Sequence, residues 1–255
     1  TNSSVGHLND RTLAGIVGAQ ILGLGAHPNQ DAAALASQLQ GATAFNYDVR
    51  LNFDTSFTGK DLLRTTLRAG NFADSPFGQP FVNLNALEVG FEENCGGADC
   101  GDVVAINRLF YQFPIGNGFT ATVGARVRQD DMLAMWPSVY PADTVLDVFT
   151  YAGAPGAYSL ALGAGAGLWY QKNGWNFSVN YVAANGDVGT PGNGDTTLPN
   201  DACANGGGGI GTDCSAETFT AQIGYAGSNW GAAVAYQYLN GFGNFPGGSV
   251  TGAFT

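Results

Sequence analysis

Residues 45–54 alternate without a slip. Phe45, Tyr47, Val49, Leu51 and Phe53 fall on one face, and Asn46, Asp48, Arg50, Asn52 and Asp54 on the other. Successive side chains of a strand point to opposite faces, so a period of two held this long specifies β structure. A second arm repeats it: Leu63, Thr65, Leu67 and Ala69 oppose Arg64, Thr66 and Arg68, and a short turn holding Gly59 joins the arms into a hairpin. The polar face carries full charges of both signs. In a closed barrel within a bilayer the apolar face meets lipid, the polar face meets water, and neighbouring strands pair every backbone group.

The pattern recurs along the chain. Residues 103–113, 119–128, 157–170, 175–181, 219–225 and 230–238 read as further strands, each about ten residues, enough to cross a tilted bilayer. Short turns alternate with long connections at 129–156 and 185–216. The apolar faces flanking the short turns carry aromatics, as in Phe113/Phe119, Tyr170/Trp175 and Tyr225/Trp230, the expected form of an interfacial girdle. The expected fold is all-β, a transmembrane antiparallel β-barrel, with about ten or eleven strands present. A further short strand at Leu87, Val89 and Phe91 would put the 57–60 turn at the opposite end from the other short turns.

Composition narrows the classes. Charged residues are only 11%, less than half the usual share, yet no run nears the roughly 18 apolar residues of a membrane helix. Twenty acidic against nine basic residues give a net charge of −11, which argues against a nucleic-acid partner. The bases concentrate in strands, at Arg50, Arg64, Arg68, Arg108, Arg126 and Arg128, whereas most acids lie in connections. These six arginines, with Asp130 and Asp131, are the candidate pore-lining and constriction residues. Opposed charges at a loop folded into a channel set its field and width. Connection 129–156 carries apolar Met132, Leu133, Met135 and Trp136, and is expected to fold inward so that Asp130 and Asp131 face Arg126 and Arg128.

Four cysteines make two near pairs, Cys95/Cys100 and Cys203/Cys214, in Gly/Asp-rich connections. Disulfides stapling exposed loops are expected, with a zinc site the alternative. Asn185-Gly-Asp187 with Asn193-Gly-Asp195 offers clustered oxygens for calcium, against a plain solvated loop. The glycines at 163–167 and 206–211 open no helix and are read as wall and loop residues, not a nucleotide loop. No triad, metalloprotease motif or nucleophile elbow occurs, and both histidines precede residue 28. An enzyme is not expected, and neither is a cofactor.

The stretches Tyr47 to Thr65, Arg108 to Pro114, Ala125 to Leu133, Trp136 to Pro141, Phe149 to Tyr158 and Tyr181 to Asp187 resemble the cyanobacterial outer-membrane porins, related to the carbohydrate-selective porins. The resemblance covers roughly 45 to 240. It implies a trimeric barrel of about sixteen strands that passes ions and small solutes. It also implies outer-membrane lipid as the surroundings and a cell-wall polymer as partner, held by an N-terminal module absent from this chain. Residues 1–44 are expected to form an N-terminal strand and short helix, and 45–255 a barrel incomplete at its C-terminus, since 249–255 read as the start of another strand. The function expected is passive diffusion of inorganic ions and small hydrophilic solutes across the outer membrane. The alternative is a secreted, lectin-like β-sandwich with disulfide-stapled loops.

Overall fold

The computed structural model describes residues 43–72, 91–93, 101–141, 152, 157–191, 203 and 207–240. Their architecture is all-β. Eight strands form one antiparallel sheet in simple sequence order: β1 (Asp48–Thr55), β2 (Leu62–Gly70), β3 (Ala105–Gly116), β4 (Phe119–Arg128), β5 (Leu162–Lys172), β6 (Trp175–Ala183), β7 (Glu217–Ala226) and β8 (Gly231–Asn240). The helical content among the described residues is one 3-10 turn, Gln129–Met132. The expected N-terminal strand and short helix, and the strand expected at 249–255, lie outside the described residues.

In a meander every second connection returns to the same end. The short turns between β1 and β2, β3 and β4, β5 and β6, and β7 and β8 therefore share one end, and the long connections 71–104, 129–161 and 184–216 share the other. The 57–60 turn, whose side the sequence left open, thus lies with the other short turns. β2 and β3 are neighbours in the sheet; of the short strand expected at 87–91, residues 87–90 lie outside the described residues and Phe91 is not strand. Two of the short turns are Asn-Gly pairs with both residues left-handed: Asn117 and Gly118 at φ 52° and 90°, Asn173 and Gly174 at 54° and 83°. Such turns match the right-handed twist of the flanking strands.

Two compact units divide the chain: Thr1–Arg50 with Arg68–Ala105 and Asp143–Thr150, and Leu51–Leu67 with Ile106–Ala142 and Tyr151–Thr255. In the first, Asn46 Nδ2 donates to Asn71 O and Asn71 Nδ2 to Phe45 O, and the Tyr47 hydroxyl bonds the Asp102 carboxylate. The Arg68 guanidinium lies 4.2 Å over the Phe91 ring. The second unit holds most of the sheet. Its small apolar core, Phe110, Val127, Met132, Ala161 and Val182, sits under the chain that follows β4.

Two residues break the expected alternation. Alternation along 119–128 would put Val127 beside Val123 on the apolar face, but it is fully buried in this core. The register of β4 on β5 slips between Gly124 and Val127, and the extra residue in the ladder turns Val127 inward. The strand expected from 157 starts only at Leu162, because Leu160 takes φ 55°, off the β region. Tyr158 is turned inward instead and donates to Gln222 Oε1 at 2.6 Å.

Candidate functional site

The sheet is inside out relative to a soluble fold. Across β4 to β8 the polar side chains are hidden: Thr122, Asn176, Ser178, Asn180, Thr218, Thr220 and Gln222 are each 2% exposed or less. The large apolar side chains between them are open: Val123 is 52% exposed, Phe177 42%, Ile223 52% and Val234 74%. Registers place these in rows. Phe177 opposes Ile223, which opposes Val234, while Asn180 opposes Thr220, which opposes Gln237.

Aromatics bound the apolar rows. Near the short turns, Phe119 packs on Tyr170 at 4.8 Å, Trp175 on Tyr225 at 5.2 Å and Tyr225 on Trp230 at 5.4 Å between ring centroids. These are aromatics that the sequence placed beside the short turns. A second row, missed there, crosses β6 to β8 nearer the long connections, where Tyr181 opposes Phe219 and Phe219 opposes Tyr238. The signal existed in each strand, but only the register shows that the three align. Along β7 the two rows are Phe219 and Tyr225, about 20 Å apart at the rise of an antiparallel strand.

On the polar face, arginines and aspartates are paired. Arg68 forks onto Asp48 at 2.9 and 2.6 Å, and Arg50 reaches the same carboxylate at 3.2 Å. Arg64 forks onto Asp54 at 2.8 and 2.7 Å, with Thr66 bonded to Asn52 beside them. Arg128 forks onto Asp130 at 2.5 and 2.6 Å. Asp131 accepts from Arg108 Nε at 2.6 Å and from the Arg128 backbone N–H at 2.9 Å. Arg126 stands half-buried on β4, opposite Leu109. The aspartates thus meet Arg128 and Arg108, rather than facing Arg126 and Arg128 across a gap. The missed partners are Asp48 and Asp54, whose place on the strand itself was visible in the alternation.

Connection 129–161 begins by folding back over the polar face, as its apolar residues suggested. Asn180 Nδ2 donates to Gln129 O at 3.3 Å, the Ala134 N–H to Ser178 Oγ at 2.8 Å and Gln222 Nε2 to Met135 O at 2.9 Å. Asn176 Nδ2 points at Met135 Sδ from 3.3 Å. Met132 fits because Gly167 leaves room beneath it: a Cβ there would lie 2.9 Å from both Met132 Cβ and Sδ. Beyond Met135, a cavity of about 440 Å³ opens between Trp136, Pro137 and Val139 on one side and Gly231, Ala233 and Ala235 on the other. Several polar atoms on this face, including Asn180 Oδ1, Thr218 Oγ1 and Gln237 Oε1, have no partner among the described residues, and water is the partner they would require.

At the short-turn end, Asp61 closes the β1–β2 turn. It accepts from Ser56 Oγ at 2.8 Å, the Thr58 N–H at 2.7 Å, Thr58 Oγ1 at 2.5 Å, the Phe57 N–H at 3.2 Å and the Tyr111 hydroxyl at 2.7 Å. The Thr58 hydroxyl, helped by Tyr111, holds this carboxyl far below the usual carboxylate range.

At the other end, Cys203 and Cys214 form a disulfide with Cα atoms 5.1 Å apart. Asn185 organises the same loop, donating to Cys214 O and accepting from the Ala216 N–H. Cys95 and Cys100 lie outside the described residues, as do Asn193 and Asp195. Among the described residues no group of three or more His, Cys, Asp or Glu could hold a metal.

No protein-family model matches the chain. It is 31% identical over 154 residues to an uncharacterized protein of Synechocystis sp., an alignment covering 60% of this chain and 27% of that protein. Among solved structures it is similar to mutant forms of the porin of Rh. blastica, at 17% identity and a TM-score of 0.34 for one form and 15% and 0.34 for another. Those alignments cover 75% of this chain and 53% of the porin chains. The chain thus spans about a quarter of the length of the curated relative and about half that of the porins.

Proposed function

We propose that this chain is part of the wall of an outer-membrane porin, a water-filled β-barrel through which inorganic ions and small hydrophilic solutes diffuse passively. One observation carries the reading. The large apolar side chains of β4 to β8 face outward and the polar ones are enclosed, a polarity that suits lipid outside and water inside. The two aromatic rows fit the two interfaces of a bilayer. A sandwich would need a second sheet over the apolar face, whereas the described strands form a single sheet.

In this reading the short turns face the periplasm and the long, disulfide-bearing connections the exterior. The segment after β4 narrows the passage, and the protein is a conduit, not an enzyme. A cyanobacterial origin, a homotrimer, uptake of sugars and attachment to the cell wall belong to the same reading, through the resemblance noted above. Locally paired charges make selectivity between anions and cations weak. The test is a planar-bilayer recording of the full-length protein. Step-like conductance with a small reversal potential in a salt gradient is expected. Absence of channels from a protein that is heat-modifiable on gels would overturn the function, and extraction without detergent would overturn the membrane barrel.

A further inference from the structure

The chain contains two methionines, and both, Met132 and Met135, lie in the segment that crosses the polar face. Their surroundings differ. Met132 is fully buried between Gly167 and the core residues Phe110, Val127 and Val182. Met135 lines the cavity of about 440 Å³, where a molecule the size of a peroxide has ample room. We propose that Met135 is an oxidation site for peroxides, and that its oxidation detaches the segment from β6 and β7.

The chemistry is a two-electron transfer. The Met135 sulfur attacks one peroxide oxygen, the O–O bond breaks, and an S–O bond forms. The other oxygen takes the bonding pair and a proton and leaves as water or an alcohol. The thioether is oxidised to sulfoxide and the peroxide reduced. Access decides the site: Met135 is half-buried and lines the cavity, whereas Met132 is fully buried.

The structural effect follows from the polar contact that the sulfur makes among the described residues. Asn176 Nδ2 lies 3.3 Å from Met135 Sδ, and the thioether serves there as a weak acceptor. A sulfoxide sulfur is electron-poor and no longer accepts; its oxygen accepts instead. An oxygen added on the Asn176 side has no room in that gap. One added on the cavity side points away from the amide, into the space that Trp136, Pro137 and Val139 line. Either way the contact breaks and the Met135 side chain must turn. The adjoining bonds, Gln222 Nε2 to Met135 O and the Ala134 N–H to Ser178 Oγ, are strained with it. If the segment narrows a pore, which rests on the function proposed above, oxidation widens it.

The experiment treats the full-length protein in detergent with hydrogen peroxide and follows three readouts. Peptide mass spectrometry should show one added oxygen on Met135 while Met132 reacts at least about tenfold more slowly. Hydrogen exchange at the Ala134 amide should quicken about tenfold after oxidation. Met135→Leu, which keeps the bulk and removes the sulfur, should abolish that peroxide-dependent change. Equal oxidation of both methionines, oxidation of neither, or unchanged exchange at Ala134 despite an oxidised Met135 would overturn the proposal. Single-channel conductance should rise on oxidation, and an unchanged conductance in a protein that does form channels would overturn the widening. A protein that never conducts refutes the porin reading, while the mass and exchange readouts still decide the oxidation site.

Discussion

Along β2 to β4 the polar face carries arginines, whereas along β5 to β8 it carries none. Arg64, Arg108 and Arg128 each hold an aspartate within 2.8 Å. On β5 to β8 the equivalent positions are Gly163, Gly165, Gly167, Asn176, Ser178, Asn180, Thr218, Thr220, Gln222, Ala235 and Gln237. The same alternation thus builds two surfaces with different uses. A charged surface is costly to cover, because desolvating an ion pair forfeits its hydration. A surface of amides and hydroxyls offers donors and acceptors that a backbone can satisfy at little cost. The segment after β4 obeys this division. Asp130 and Asp131 stay with Arg128 and Arg108, and the uncharged stretch from Met132 to Met135 lies over the neutral strands.

The charged surface should be the more brittle of the two. Asp131→Asn leaves Arg108, whose side chain is only 10% exposed, without its carboxylate, and removing one partner of a buried pair costs about 3–5 kcal/mol. The temperature at which the protein loses its folded gel mobility should drop clearly. The double replacement Arg108→Met with Asp131→Leu should recover most of that loss, since it leaves no lone charge behind. A double variant as unstable as the single one would mean that the pair is not what Asp131 contributes.

A comparison across one strand sharpens the division between faces. Val234→Arg puts a charge on the apolar face between the aromatic rows, at a cost of about 2–4 kcal/mol if lipid lies there. Ala235→Arg places the same charge one residue on, beside the cavity, where it has space. Only the first should block insertion into liposomes. Equal effects would remove the case for lipid on that face.

The neutral surface should respond locally. Ser178→Ala removes the acceptor of the Ala134 N–H and leaves that donor unpaired, a cost of about 1–3 kcal/mol confined to the segment. Hydrogen exchange at Ala134 should rise while exchange in β6 and β7 stays unchanged. A global loss of protection would show that the segment and the sheet unfold together.

The division between faces was legible in the alternation from Phe45 to Phe53 and again from Trp175 to Tyr181, because a period of two needs no knowledge of neighbours. The inward course of the segment was legible in Met132, Met135 and Trp136, apolar side chains in a connection that need cover. What the sequence hid depends on register. The slip between Gly124 and Val127 moves Val127 to the core, and no residue type there announces a bulge. The turn of Tyr158 toward Gln222 hangs on one left-handed leucine, Leu160, which a propensity argument never selects. The pairing of Asp131 with Arg108 spans 23 residues and two strands, so it appears only once β3 lies beside β4.

The smallest effect concerns the end of the molecule far from the segment. Asp61 is 7% exposed and accepts from three side-chain hydroxyls and two backbone N–H groups. These donors favour the carboxylate and so lower its affinity for a proton in the fold. In the unfolded chain the same group titrates near the ordinary aspartate value, about 3.9. Because the folded value lies below the unfolded one, the stabilisation is fully present above about pH 4 and is lost as the pH falls further toward the folded value. Protection of the Thr58 amide against exchange, corrected for the intrinsic pH dependence, should be flat from pH 7 to 5 and decline only in stronger acid. Asp61→Asn should lower it at neutral pH and remove the acid-dependent part, while the Ala134 amide is indifferent to both. A decline that begins near neutrality, or one that survives in the asparagine variant, would assign the acid response to another group and leave the turn held by its backbone alone.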